Sequence, residues 1–202
     1  MVTAAPRNRP ADARLMVVGG GTGGHVYPGV AVAEAWQRRF PSSEVVFVGS
    51  ERGMEARVIP ELGFPFVPVQ ARRLKNTALL ERMMNLLRIP GAVWHGRSVV
   101  RDHAPTVVLG VGGYVSGPVV LAASLFGWPC AIAEQNAHAG LTNRLLARFA
   151  QRIYTAFPEV ATQLPAAKVR MLGNPVRAAF APLEISDETN VRNLLILGGS
   201  QG

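Results

Sequence analysis

An α/β fold, with a parallel sheet and helices on both its faces, is the architecture this sequence predicts. Short β-branched runs alternate along the chain with longer stretches of helical periodicity, the pattern of βαβ units. Two of those runs lead straight into glycine-rich turns that open helices. The composition supports a buried core: of 202 residues, 49% are hydrophobic and 17% charged. That balance excludes a disordered chain, a collagen-like chain and a coiled coil. A single cysteine, Cys130, excludes a disulfide framework and a Cys-cluster metal site.

Residues 1–13 read as a loose tail, with arginines and prolines but without the apolar core of a signal peptide. Leu15–Val18 is the first strand. A helix is expected from Pro28 to Phe40, because proline suits a first helical turn, where its missing N–H has no partner to lose. Val45–Val48 is the second strand, and Met54–Leu62 a short helix closed by Gly63. Phe66–Val69 is a third strand, placed near an edge by Pro68. A helical stretch runs from Thr77 to His103, interrupted at Pro90 and Gly91. Thr106–Leu109 is the fourth strand, and the helix after it covers Gly117–Phe126. Cys130–Ala133 is the fifth strand, followed by a helix over Leu141–Ala150. Arg152–Thr155 and Val169–Leu172 are the sixth and seventh strands. Residues 178–190, with Pro182 and several polar side chains, read as a linker after a first domain over 14–177. Leu194–Leu197 is a buried-type strand that runs into Gly198–Gly202, the opening of a second domain cut short within residues 191–202. No window approaches 18 continuous apolar residues, so no transmembrane helix is expected.

The net charge is +8, almost all of it arginine, since Lys75 and Lys168 are the only lysines. Such an excess points to an anionic partner, without choosing among nucleic acid, phosphorylated small molecules and an acidic membrane. No aromatic–basic interleaving favours nucleic acid, and no nucleic-acid partner is expected.

Ligands of parallel sheets bind beyond the carboxyl ends of the strands, so the loops there carry the candidates. Gly19 to His25 follows the first strand and precedes a helix. Its glycines allow close backbone approach, and the helix N-terminus offers free N–H groups and a positive dipole end, suiting a phosphate or pyrophosphate. A tight turn without a ligand is the plainer alternative. The turn is no Walker loop, because no Gly-Lys-Ser/Thr follows. A dinucleotide site stays open, although Glu51 lies past the second strand. His25, at the helix start, is held neutral by the dipole and suits a general base for a sugar hydroxyl. Gly110 to Pro118, containing Gly112, Gly113 and Tyr114, repeats the same design after the fourth strand, so two turns can grip one diphosphate. Glu134, Gln135 and Asn136 end the fifth strand, with Asn143 further along, and suit sugar hydroxyls. Arg177 ends the seventh and suits a phosphate across a cleft.

The segment from Leu79 to Trp94 carries Leu80, Met83, Met84, Leu86, Leu87, Ile89 and Val93. Arg72, Arg73, Lys75, Arg82, Arg88 and Arg97 surround it. An apolar patch ringed by cations seats on an anionic bilayer, with tryptophan at headgroup level. An ordinary core-facing helix is the alternative.

Five motifs in order, GGGTGGHVYPG, GVGGYVSGP, EQNAHAGLTNR, GNPVR and GGSQG, closely resemble the MurG family. The resemblance runs from Arg14 to the last residue. It implies the N-terminal, Rossmann-like domain of a GT-B glycosyltransferase. It further implies inverting transfer of N-acetylglucosamine from UDP-N-acetylglucosamine to the muramoyl sugar of lipid I, giving lipid II. That reaction belongs to peptidoglycan synthesis, and so to cell-wall biogenesis, cell shape and division. No cofactor and no catalytic metal are implied. Thr22, Gly23, Gly24, Asn136, Arg177 and Ser200 match donor-contacting positions, and His25 matches the base. Gly21, Gly24, His25, Gly112, Gly113, Tyr114, Glu134 and Gln135 fall to the acceptor and its pyrophosphate. Leu79 to Trp94 matches a membrane-facing patch, placing the protein peripherally on the cytoplasmic face of the bacterial membrane. Ala133 departs from the pattern, standing where a histidine often precedes Glu-Gln-Asn. Family members run to roughly twice this length (a size the resemblance implies, beyond a usual domain). The chain is therefore expected to be the acceptor-binding half, inactive without a C-terminal donor-binding domain or partner chain. A stand-alone, membrane-recruiting subunit of a split glycosyltransferase is the alternative. A nucleotide-binding protein of another class accounts for the first glycine turn alone.

Overall fold

The structure is a computed structural model that describes residues 13–70 and 89–180. The tail, the linker from residue 181 and the Leu194–Leu197 strand lie outside the described residues. Seven strands form one sheet: β1 (Arg14–Gly19), β2 (Glu44–Ser50), β3 (Phe66–Val69), β4 (Val107–Gly112), β5 (Cys130–Glu134), β6 (Arg152–Thr155) and β7 (Val169–Met171). Their order is β3-β2-β1-β4-β5-β6-β7, and every pairing is parallel. β3 is an edge, as Pro68 predicts. The chain first builds outward from β1 to β3 and then returns to the other side of β1 with β4. The crevice between β1 and β4 is thus the topological switch point, where open parallel sheets bind ligands.

Among the described residues six α-helices cover the sheet: α1 (Gly23–Arg39), α2 (Glu55–Glu61), α3 (Ile89–His103), α4 (Ser116–Leu125), α5 (Leu141–Leu146) and α6 (Pro158–Ala161). Alternation along β1 divides the core. Leu15 and Val17 face α1 and α2, packing with Val26, Val30 and Ile59. Met16 and Val18 face the other layer, in one buried cluster with Val100 of α3, Val119 and Val120 of α4, Leu146 of α5 and Val160 of α6. Helices lie on both faces, as the alternating pattern predicts.

Several boundaries differ from the sequence reading. α1 begins at Gly23 rather than Pro28, because Thr22 O accepts from both His25 N–H and Val26 N–H at 3.1 Å and starts the helix there. Pro28 therefore sits inside the helix, where it leaves the Gly24 carbonyl without its helical donor. β2 extends to Ser50, so Glu51 directly follows the strand instead of lying clear of it. β4 continues through Gly112, so Gly110 to Gly112 are strand and not loop. A register shift between Val18 and Gly19, opposite Gly110 and Gly112, accommodates the extra residue Val111. Glu134 belongs to β5. The helix read over Leu141–Ala150 stops at Leu146, and the strand at Val169 stops at Met171. Ala178–Phe180, the start of the expected linker, is one 3-10 turn. α6 was not expected from the sequence pattern; Pro158 at its N-terminus starts it.

α3 crosses α4 closely at Gly96, where an added Cβ would lie 3.0 Å from Val119 Cα and 3.1 Å from Pro118 O. Both contacts are backbone and cannot rotate away. Gly91, on the same helix, has nothing within 4 Å of such a Cβ. Gly96→Val is therefore expected to destabilise by about 1–3 kcal/mol through overpacking. Gly91→Ala is expected to be neutral or to stabilise by up to about 1 kcal/mol. Thermal unfolding of the two variants checks the contrast, and equal midpoints overturn it.

Candidate functional site

The turns after β1 and β4 interlock at the switch point. Gly20 N–H donates to Gly112 O at 3.3 Å. Gly113, at φ +85°, lies so close that an added Cβ would stand 2.4 Å from Gly20 O. Gly112, at φ +101°, faces the His25 ring, where a Cβ would come within 2.5 Å of Cδ2 and 2.9 Å of Nε2. Both glycines combine a left-handed φ with a missing side chain, and no other residue supplies both. The turn pair thereby brings Gly21, Thr22, Gly23 and Gly24 beside Gly112 and Gly113. Tyr114 lies next to Gly21, at 4.0 Å from its Cβ position.

The first turn of α1 opens onto this crevice. Thr22 occupies the N-cap position without a side-chain cap bond, and the turn carries no acidic residue. With His25 N–H and Val26 N–H bonded to Thr22 O, the Gly23 and Gly24 N–H groups and the dipole end give this turn a positive polarity. Thr22 Oγ1 hydrogen-bonds His25 Nδ1 at 3.0 Å, leaving Nε2 as the ring atom that can exchange a proton. Burial holds the His25 pKa below its ordinary 6.5, with the charges of Glu134 and Glu55 opposing in part. A neutral imidazole at this helix end has the protonation state that a general base needs.

The loop after β5 stands on Glu134, which is 3% exposed. Its Oε1 accepts from Asn136 N–H at 3.1 Å and Nδ2 at 2.9 Å. Its Oε2 accepts from Gly140 N–H and from Asn143 Nδ2, both at 2.9 Å. Glu134 thus shapes the loop from beneath and holds Asn136, which is exposed, in one orientation. Gln135 is buried, and neither of its amide atoms has a hydrogen-bond partner among the described residues. Its backbone oxygen accepts from Asn174 Nδ2 at 3.3 Å, which ties the β5 loop to the segment after β7. Arg177, on that segment, stacks over Tyr27 of α1 at 4.6 Å and over Phe180 at 4.9 Å. Its guanidinium is thereby brought to the His25 end of α1.

Three features had no counterpart in the sequence reading. Glu55 lies under the first glycine turn, where its Oε2 accepts from Gly21 N–H at 2.8 Å. Arg177 stacks on Tyr27. Phe126 meets Trp94 edge-on at 6.4 Å, with the Arg97 guanidinium 5.1 Å over Trp94 and 4.8 Å over Phe126. Trp94 is 62% exposed and Leu125 57%. Arg72, Arg73, Lys75, Leu79, Leu80, Arg82, Met83, Leu86, Leu87, Arg88 and Ser200 lie outside the described residues. Among the described residues, no cluster of three or more His, Cys, Asp or Glu could hold a metal, and no helix is long and apolar enough to cross a membrane.

The model of the glycosyltransferase family 28 N-terminal domain matches residues 15–155. A protein of Anaeromyxobacter sp. (strain Fw109-5) is 47% identical over 191 residues, covering 94% of this chain and 50% of that protein. It is named UDP-N-acetylglucosamine--N-acetylmuramyl-(pentapeptide) pyrophosphoryl-undecaprenol N-acetylglucosamine transferase. A protein of the same name from Syntrophus aciditrophicus (strain SB) is 44% identical, with 94% of this chain and 53% of that protein covered. The chain spans about half the length of these curated relatives. Among solved structures, Acinetobacter baumannii MurG is similar with a TM-score of 0.66 and 32% identity, over 78% of this chain and 44% of that one. UDP-GlcNAc 2-epimerase from Neisseria meningitidis, at 18% identity, 80% and 46% coverage and a TM-score of 0.55, shares the fold.

The lowered His25 pKa has a consequence for stability. Between the folded value and the ordinary 6.5, the unfolded chain binds the proton that the folded chain does not. This contribution is fully present above pH 6.5 and is lost as pH falls towards the folded value. His25→Asn is therefore expected to lose less thermal stability than the wild type between pH 7 and pH 5. Parallel Tm curves for the two proteins over that range overturn the assignment.

Proposed function

The chain belongs to glycosyltransferase family 28, whose N-terminal domain it carries, and from that premise we propose that it serves the transfer of N-acetylglucosamine from UDP-N-acetylglucosamine to lipid I, giving lipid II in peptidoglycan synthesis. One observation carries the reading: two glycine turns interlock around His25 at the β1–β4 switch point. The acceptor's pyrophosphate lies against the first turn of α1 and the turn at Gly112, Gly113 and Tyr114, where N–H groups and the helix dipole favour negative charge. His25 Nε2 takes the proton from the attacking sugar hydroxyl. That oxygen bonds to the donor's anomeric carbon as the bond to UDP breaks on the opposite face, inverting the centre. UDP leaves with the electron pair, and no enzyme-bound sugar intermediate forms.

In this reading Thr22, Gly23, Gly24, Asn136 and Arg177 line the donor side, and Arg177 is delivered there by its stack on Tyr27. Gln135 faces the acceptor, with Glu134 acting through the loop it braces. Residues 14–177 form the acceptor- and membrane-binding domain. Residues 178–190 link it to a donor-binding domain that opens at 191–202 and contributes Ser200. The 14–177 domain is expected to need that second half for transfer. Trp94, Leu125 and Phe126, with Arg97 between two of the rings, present an apolar, basic surface that seats the protein on the anionic cytoplasmic face of the membrane.

His25→Ala in the complete protein is expected to lower turnover about 10²- to 10⁴-fold, the usual range for a general base, with UDP binding retained. Unchanged turnover removes His25 from the chemistry. Replacing Trp94 and Phe126 together by serine is expected to reduce sedimentation with phosphatidylglycerol vesicles, while leaving transfer to a soluble acceptor analogue intact. Full vesicle binding by that variant sinks the membrane assignment.

A further inference from the structure

Glu55 is the first residue of α2 and is 2% exposed. Its Oε1 accepts from Ser50 N–H and Ser50 Oγ, both at 2.9 Å, and its Oε2 accepts from Gly21 N–H at 2.8 Å. Among the described residues no cation pairs with it; the charge is met by hydrogen-bond donors alone. The carboxylate fills a hollow left by three glycines. An added Cβ would stand 2.2 Å from Glu55 at Gly20 and at Gly53, and 2.5 Å at Gly49. Three elements, the turn after β1, the end of β2 and the start of α2, thus omit side chains around one buried acid.

The donors specify the residue. Gly21 N–H on one side and Ser50 N–H on the other both require an acceptor, and a carboxylate presents acceptors on both oxygens. Glutamine would turn its NH₂ towards one of the two N–H groups and leave a buried donor unsatisfied. Aspartate, one methylene shorter, cannot span from α2 to both. Gly21 is followed by Thr22, whose carbonyl starts α1 and whose hydroxyl pairs with His25 Nδ1.

We propose that Glu55 is a positioning residue: by holding Gly21 N–H it fixes the glycine turn, and through Thr22 it sets the place and orientation of the His25 ring. The catalytic consequence rests on the proposed role of His25, but the geometric linkage does not. The negative charges of Glu55 and Glu134 also raise the proton affinity of His25 against its burial. Loss of the Glu55 charge is expected to lower the pH at which the ring titrates.

The test is NMR of the His25 ring nitrogens in this chain across pH, for wild type, Glu55→Gln and Ser50→Ala. In Glu55→Gln the His25 resonances are expected to move and its titration to shift to lower pH. Ser50→Ala, which keeps the carboxylate and the Gly21 bond, is expected to leave both in place. A folded Glu55→Gln with an unmoved, normally titrating His25 overturns the proposal. If glutamine prevents folding, Glu55→Asp serves: it keeps the charge but loses the reach, so the His25 resonances are expected to move, and their constancy overturns the linkage. In the complete protein, Glu55→Gln is expected to lower kcat by about 10²-fold, as for a misplaced reacting group. If turnover survives His25→Ala, the reading of His25 as base fails, while the NMR result still decides the link from Glu55.

Discussion

The site depends on a close approach between two pieces of backbone, the turns after β1 and β4. Parallel strands of one sheet are separated by the hydrogen-bonding distance, about 4.8 Å. At this crossing Gly113 must lack a side chain, because a Cβ there would stand 2.4 Å from Gly20 O. Gly20 and Gly113 meet there, and Gly112 accepts the imidazole of His25 against its Cα. The bulge at Val111 turns the end of β4 so that this contact forms. The proposed grip of both helix-opening turns on one diphosphate depends on this contact.

Charge is arranged in two layers around that contact. Beneath it lie two buried carboxylates, Glu55 under the first turn and Glu134 under the β5 loop, each holding backbone and side-chain donors on both oxygens. They hold loops rigid, and their charges partly offset the effect of burial on His25. Above it lie the uncapped helix end and the guanidinium of Arg177. An anion arriving from solvent meets the positive layer first. This separation suits the proposed grip on pyrophosphate beside a neutral base.

The opposite layer of helices has a different character. The Arg97 guanidinium lies between the rings of Trp94 and Phe126, a contact between a helix and the end of its neighbour that joins an apolar surface to a cation. The close α3–α4 crossing at Gly96 brings these rings together. The proposed membrane surface is thus a product of helix packing as much as of one amphipathic segment.

The sequence by itself determined the strand and helix alternation, the edge position of β3 through Pro68, and the two glycine turns with His25 between them. These are local signals: periodicity, turn chemistry and the steric limits of proline and glycine act within a few residues. It misjudged the start of α1 for an equally local reason. Proline favours the first turn, but the Thr22 carbonyl captured two N–H groups and started the helix earlier. Only the tertiary structure decided that Glu55 reaches Gly21 across 34 residues, that Asn174 reaches Gln135 across 39, and that Arg177 lies on Tyr27. A glutamate in the first turn of a helix has an ordinary local explanation, so nothing near it marks it as the acid beneath the site. Such contacts arise because strand order, which no single segment encodes, decides which carboxyl ends become neighbours.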